Sequence, residues 1–189
     1  MRYLSCRPKY PASAWGKIYR KNFLEENRLC FPKDNRRSED LGFSYDAIAL
    51  AETYDVCEFP YYEYRQNREG SITNHRMSNK DFYDVNMFIE ESIQKSTSNK
   101  IPNSEQDRYL LSFVAFEYAL LLCAYARYHG KGKKDLFHIL KSNSWVLNYT
   151  NMKQVTYIKI VYKIFGLNIT ARITNLYRNV RKNSEYRKK

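Results

Sequence analysis

The chain has 189 residues, enough for one ordinary domain or a piece of a larger one. Its 43% hydrophobic content supports a packed core and excludes wholesale disorder, and 6 glycines with 5 prolines exclude collagen-like and low-complexity architectures. Net charge is +12, but residues 1–120 carry 17 basic and 18 acidic side chains while residues 121–189 carry 15 and 2. All the surplus lies in the last third, a skew that suits an anionic partner surface. Cys6, Cys30, Cys57 and Cys123 lack metal-finger or redox spacing, so they read as reduced and mostly buried thiols. Polar and basic residues after Met1 do not read as a signal peptide.

In chain order, Ser13 is placed to cap a first helix carrying Trp15, Ile18, Tyr19 and Phe23 at helical spacing. Leu29, Cys30 and Phe31 form a short apolar run stopped by Pro32. Ser38 is placed to cap a second helix. Glu39 and Asp40 lie in its first turn, with Leu41, Tyr45, Ile48 and Ala49 on one face. Residues 54–59 and 61–65 read as extended, interrupted by Pro60, and residues 67–74 as a polar loop.

From Ser78 onward the pattern turns helical. The predicted helices are 81–95, a long apolar one from Ser104 through Tyr128, a short one at 136–141, and a last pair at 154–165 and 169–182 separated near Gly166. Residues 109–126 contain one charge, Glu117, and are long enough to span a bilayer. A carboxylate at the midpoint costs roughly 3 kcal/mol in hydrocarbon. That cost favours a helix buried on all sides by neighbours.

Two groups of residues form an ordered set. The first is Ser13-Ala14-Trp15-Gly16-Lys17-Ile18-Tyr19-Arg20-Lys21, followed by Leu29-Cys30-Phe31-Pro32. The second is Ser38-Glu39-Asp40-Leu41-Gly42-Phe43, then Phe59-Pro60-Tyr61-Tyr62-Glu63-Tyr64-Arg65, then Gly70-Ser71-Ile72-Thr73. In order and spacing, residues 12–75 resemble the second, acceptor-side half of the catalytic domain of family 2 glycosyltransferases, of GT-A type. Matching features are a W-x-K-I-Y-R helix, an apolar run ending F-P, an E-D motif, a P-Y-Y-x-Y-R strand and a G-S-I-T loop.

The resemblance implies transfer of a sugar from a nucleotide-sugar donor to a saccharide or lipid-linked acceptor by an inverting enzyme. It makes Asp40 the general base, with Glu39 orienting Asp40 or the acceptor. The position suits that chemistry, because the orphan N–H groups and dipole of a helix N-terminus favour a negative side chain. Without the flanking pieces, Ser38, Glu39 and Asp40 would read simply as a helix start. Trp15 and Lys17 match the family's W-x-K pair, for a sugar face and for a phosphate or carboxylate. Core packing of Trp15 and solvation of Lys17 account for them equally well. Arg65, Arg68 and Ser71 match the region that closes over the donor diphosphate in the family, where arginine suits phosphate. Simple solvation of these loop residues is the even alternative. His75 follows the loop, where it suits a metal or phosphate, with a lone histidine that binds neither as the favoured alternative. His129 and His138 carry no ligand spacing.

The expected fold is α+β and predominantly helical. Residues 1–77 form the acceptor-side part of a GT-A-like domain without its nucleotide-binding half, and residues 78–189 a helical region with a basic tail. No D-x-D occurs in the chain. The divalent Mg or Mn expected for the complete enzyme is therefore not expected to be held by this chain alone. A non-catalytic membrane-surface or partner-binding helical module derived from such an enzyme is the alternative. Residues 169–189 hold seven basic side chains against Glu185, with Ile169, Ile173, Leu176 and Val180 on one helical face. They suit an anionic membrane surface, and equally a helix docked on the bundle with solvated charges. Nucleic acid is not expected as a partner, because no recognition motif accompanies the charge. The expected location is cytoplasmic, with the tail peripheral on the inner face of the membrane.

Overall fold

The computed structural model describes residues 13–33, 39–55, 59, 62–63, 65, 77–150 and 152–186, with side chains described through residue 180. The chain is mostly helical and carries one small sheet among the described residues. The elements are α1 (Lys21–Glu26), α2 (Glu39–Leu50), α3 (Asn79–Ser96), β1 (Thr97–Ser98), β2 (Ile101–Pro102), α4 (Glu105–Tyr125), α5 (Lys133–Asn143), a 3-10 helix (Ser144–Tyr149) and α6 (Lys153–Tyr186). This is the predominantly helical α+β composition expected from the sequence.

Local chemistry sets the helix starts. At α3, the Ser78 hydroxyl accepts from the Asp81 backbone N–H, and the Asp81 carboxylate accepts from the Ser78 N–H at 2.7 Å, a reciprocal capping box. Ser104 accepts from Asp107 N–H at 3.1 Å and starts α4 where the sequence predicts. The connection between α3 and α4 is a tight hairpin in which Thr97 faces Pro102 and Ser98 faces Ile101. Asn99 and Lys100 both take positive φ, 51° and 66°, the backbone a two-residue turn of this hand requires.

Helix α4 is the centre of the bundle, packed by α3, the 3-10 helix and α6. It is long and apolar enough to cross a membrane, yet 78% of its apolar window is buried inside the fold. Leu111, Val114, Tyr118 and Leu122 are fully enclosed. Tyr118 donates its hydroxyl to the Leu140 carbonyl at 2.7 Å, tying α4 to α5, and burial pushes that phenol well above its ordinary value. Glu117 is 6% exposed, and burial pushes its carboxyl up from 4.5 to about 7. Helix α6 is a single run interrupted at Gly166, whose φ of 70° and ψ of −175° are non-helical. The predicted break therefore falls at that glycine, a conformation a residue with a Cβ rarely adopts.

Two sequence expectations change in the N-terminal part. The first helix does not begin at Ser13. Residues 13–16 are bends, residues 17–20 have no regular structure, and α1 starts at Lys21. Gly16 has φ of 76°, which breaks a helical path there, and Arg20 at the helix start makes no side-chain cap. The extended segments at 54–59 and 61–65 lie partly outside the described residues, and Tyr54, Asp55, Phe59, Tyr62, Glu63 and Arg65 are not in strands. Of the thiols expected to be buried, Cys123 is buried and Cys30 is exposed, while Cys6 and Cys57 lie outside the described residues.

Candidate functional site

Helix α2 carries the E-D motif and is held from two sides. Leu41, Tyr45 and Ile48, at i, i+4 and i+7, join the main core. Tyr45 donates to the Ser92 carbonyl at 3.2 Å and bonds Ser96 of α3, and burial pushes its phenol up to about 12. The opposite face meets the N-terminal segment. Phe43 stacks on Phe31 at 4.5 Å between ring centroids and takes Tyr19 edge-on at 5.4 Å. The sequence reading found the first face and missed the second.

Lys17 reaches the side of α2 between these two faces. Its ammonium donates to the Ser13 carbonyl and, at 3.1 Å, to the hydroxyl of fully buried Ser44. Ser44 stands four residues after Asp40, so both lie on one side of α2, one turn apart. Burial pushes the Lys17 amine down from 10.5 to about 8, and the negative charge of Asp40 partly offsets that fall. Lys17 is thus neither a freely solvated cation nor an isolated one. It clamps the W-x-K turn onto the first turns of α2 beside Asp40.

Asp40 is half-buried and Glu39 exposed, both in the first turn of α2. Adjacent positions on a helix point away from one another, so the two carboxylates do not share a face. Trp15 stacks on Tyr62 at 5.1 Å with planes 20° apart, and both remain close to half exposed. Trp15 and the second motif group therefore meet through an aromatic pair with accessible surface. Arg65 is exposed. Arg68, Ser71 and the capping position Ser38 lie outside the described residues.

The fold thus brings Lys17 beside Asp40 at the start of α2, and Trp15, two residues from Lys17, onto Tyr62. Ser44 and Tyr62 were missed by sequence reasoning. Ser44 was accessible through its i+4 relation to Asp40, whereas the Trp15–Tyr62 pair spans an irregular chain and leaves no periodic signal. A cleft of about 510 Å³ lies at the other end of α2, bordered by Arg28, Tyr45, Asp46, Lys95 and Asp107. Its lining on α2 begins at Tyr45, five residues or about 7.5 Å of helix beyond Asp40. Among the described residues no three His, Cys, Asp or Glu side chains are grouped to hold a metal ion. The described residues therefore do not fit the divalent ion that the resemblance implies.

No protein-family model matches the chain, and no solved structure matches it. The poly(ribitol-phosphate) beta-N-acetylglucosaminyltransferase TarS of Staphylococcus aureus does match, in strain MW2 and in strain Mu50, each 29% identical over 99 residues. The match covers 52% of this chain and 17% of TarS. Part of this chain is distantly related to a glycosyltransferase. That relation supports a glycosyltransferase-like origin.

Proposed function

We propose that residues 1–77 are the acceptor-side part of a GT-A, family 2 glycosyltransferase domain, that residues 78–189 are its helical extension, and that Asp40 is the general base. The observation that carries the reading is the junction of Lys17, Ser44 and Asp40. It draws the W-x-K turn and the E-D motif, separate in sequence, onto one end of α2. The relation to TarS supplies independent support for sugar transfer.

In this reading an acceptor hydroxyl gives its proton to the Asp40 carboxylate as its oxygen attacks the anomeric carbon of the donor. The bond to the nucleotide diphosphate breaks and the diphosphate leaves. Asp40 suits the base because it stands half-exposed at a helix N-terminus, where acceptor can reach it. The accessible faces of Trp15 and Tyr62 suit a sugar ring, which presents C–H groups to aromatic surfaces. Lys17 acts as a positioning residue, since two of its N–H groups are committed to Ser13 and Ser44. Arg65, Arg68 and Ser71 are assigned to donor phosphate, and any divalent ion to the nucleotide-binding half of the complete enzyme.

TarS is named for transfer of N-acetylglucosamine to poly(ribitol phosphate), so that pair is the first to test. The full gene product is incubated with nucleotide-activated N-acetylglucosamine and poly(ribitol phosphate), then with a panel of other nucleotide sugars. Asp40→Asn is expected to lower kcat by roughly 10²–10⁴-fold, about 3–5 kcal/mol, with donor binding unchanged. Undiminished transfer by Asp40→Asn reduces Asp40 to a helix-start residue. Absence of transfer with every donor favours instead a non-catalytic module derived from such an enzyme, a reading that the apolar outer surface of α6 supports.

A further inference from the structure

Helix α6 buries one face and leaves another apolar face uncovered on each side of Gly166. Before the glycine, Val155, Ile158 and Tyr162 turn toward the core. On the opposite side Tyr157, Ile160 and Ile164 follow at spacings of three and four, with exposures of 69%, 48% and 66%. After it, Leu167, Thr170 and Ala171 are buried, while Ile169, Ile173, Leu176 and Val180 lie on one exposed arc. An ordinary bundle helix alternates core-facing apolar residues with a polar outer face. This one is apolar on both.

The polar residues interspersed with these stripes have one sign. Over residues 153–186 there are seven basic side chains and one acid, Glu185. Lys153, Lys163, Arg172 and Arg178 are exposed. On a helical projection at 100° per residue, Arg172 falls at the edge of the second stripe and Lys163 at the edge of the first.

We propose that the outer face of α6 is a docking surface for an anionic lipid bilayer, on which the helix lies with its apolar stripes in the headgroup boundary and its cations at the phosphates. Other occupants satisfy only half of the pattern. A soluble polyanion accounts for the cations and leaves seven aliphatic and aromatic side chains in water. A second copy of the chain covers the apolar stripes but sets a net charge of six against another six. An acidic bilayer surface supplies both the apolar layer and the countercharge. The attachment needs no spanning helix, and α4 remains within the bundle.

The full chain is co-sedimented with vesicles of phosphatidylglycerol and of phosphatidylcholine at low and at high salt. Binding to phosphatidylglycerol, released by salt, with roughly tenfold less binding to phosphatidylcholine, is the expected result. Lys163→Gln with Arg172→Gln, the two cations at the stripe edges, is expected to weaken binding by roughly tenfold or more, at about a factor of five per cation. A variant with Tyr157→Ser, Ile164→Ser, Leu176→Ser and Val180→Ser is expected to lose a similar factor or more. It should keep its circular dichroism and thermal midpoint, because all four residues are exposed. It should also keep its affinity for soluble poly(ribitol phosphate), which separates a bilayer from a polyanion in solution. Three outcomes overturn the proposal: equal or absent binding on the two vesicle types, undiminished binding by the serine variant, or a concentration-dependent dimer that the serine substitutions dissolve.

Discussion

Helix α4 and the segment from Ser13 to Lys21 handle apolar side chains in opposite ways. In α4, Leu111, Val114, Tyr118 and Leu122 are sealed by three neighbouring elements. In the segment, Trp15 is 42% and Ile18 75% exposed, and contacts that hold it include Lys17 to Ser44, Tyr19 to Phe43 and Trp15 to Tyr62. The bundle is stabilised by buried area and is indifferent to the identity of individual surface groups. The motif segment is positioned by particular pairs and leaves its remaining apolar surface available. The W-x-K segment thus sits on the less enclosed side of the resemblance, while the E-D group enters the core through Leu41 and Phe43.

The contrast predicts its own largest test. Phe82→Ala or Leu122→Ala is expected to cost about 3–5 kcal/mol in denaturant unfolding, because both are enclosed and leave cavities. Trp15→Ala should cost about 1 kcal/mol, most of it the stack on Tyr62, and Ile18→Ala about 0.5 kcal/mol or less. Comparable losses at Trp15 and Leu122 would show that the segment is integral to the core.

Glu117 is the exception inside the bundle. Its carboxyl titrates near 7 in the fold and at 4.5 in the reference state. Between those values the native state holds a proton that the unfolded chain releases. Stability therefore falls as pH rises from 4.5 to 7 and stays lower above it. Glu117→Gln keeps the neutral shape. It is expected to raise stability by up to about 3 kcal/mol at pH 8, with little change at pH 4. Unfolding curves at the two pH values check this, and an equal effect at both would remove ionisation as the cause.

The bundle was the more legible part of the chain. Ser104 is a sequence signal that became a cap, Ser78 marked the onset of helix, and Gly166 marked the break in α6. Periodicity located Leu41, Tyr45 and Ile48 because one face of α2 repeats at helical spacing. It could not locate Phe43 against Phe31 or Trp15 against Tyr62, since those partners lie on irregular backbone with no period to read. It also misled at Ser13, where helical spacing was overridden by the left-handed Gly16. For the site, the motif resemblance pointed to Asp40 and Lys17, and Ser44, one turn beyond Asp40, was open to an i+4 reading, but its bond to Lys17 belonged to tertiary structure. The two hairpin strands were too short to leave an alternating pattern.

Gly166 tests how the bundle sets the path of its last helix. No atom lies within 4 Å of a Cβ built there, so Gly166→Ala meets no steric neighbour and carries only the backbone cost. At φ of 70° and ψ of −175° that cost is about 1–3 kcal/mol. Alanine favours a straight helix, which would lift Leu167 and Ala171 from the core. A loss of about 1–2 kcal/mol in thermal or denaturant unfolding is expected. An unchanged stability would mean that the second half of α6 is not held by the bundle.

The smallest expected effect lies at the joint between the two regions. Burial lowers the Lys17 amine to about 8 and Asp40 opposes the shift, so the fold disfavours the charged form that the unfolded chain keeps up to 10.5. Below pH 8 both states are protonated and the burial penalty is complete. Between 8 and 10.5 the unfolded state holds the additional proton, so the penalty is relieved and stability rises with pH. Lys17→Met retains the length of the side chain and removes both the charge and its bonds to Ser13 and Ser44. Relief of desolvation opposes the loss of two partly exposed hydrogen bonds, and the net change at pH 7 is expected to stay within about 1 kcal/mol. The informative readout is therefore local. Protease cleavage within residues 13–33 should become faster in Lys17→Met at pH 7. In the wild type it should slow as pH rises from about 8 toward 10.5, because opening the segment returns the amine to water and takes up a proton. Cleavage that is pH-independent and unchanged in the variant would show that the aromatic contacts of Tyr19 and Phe31 with Phe43 hold the segment without the lysine.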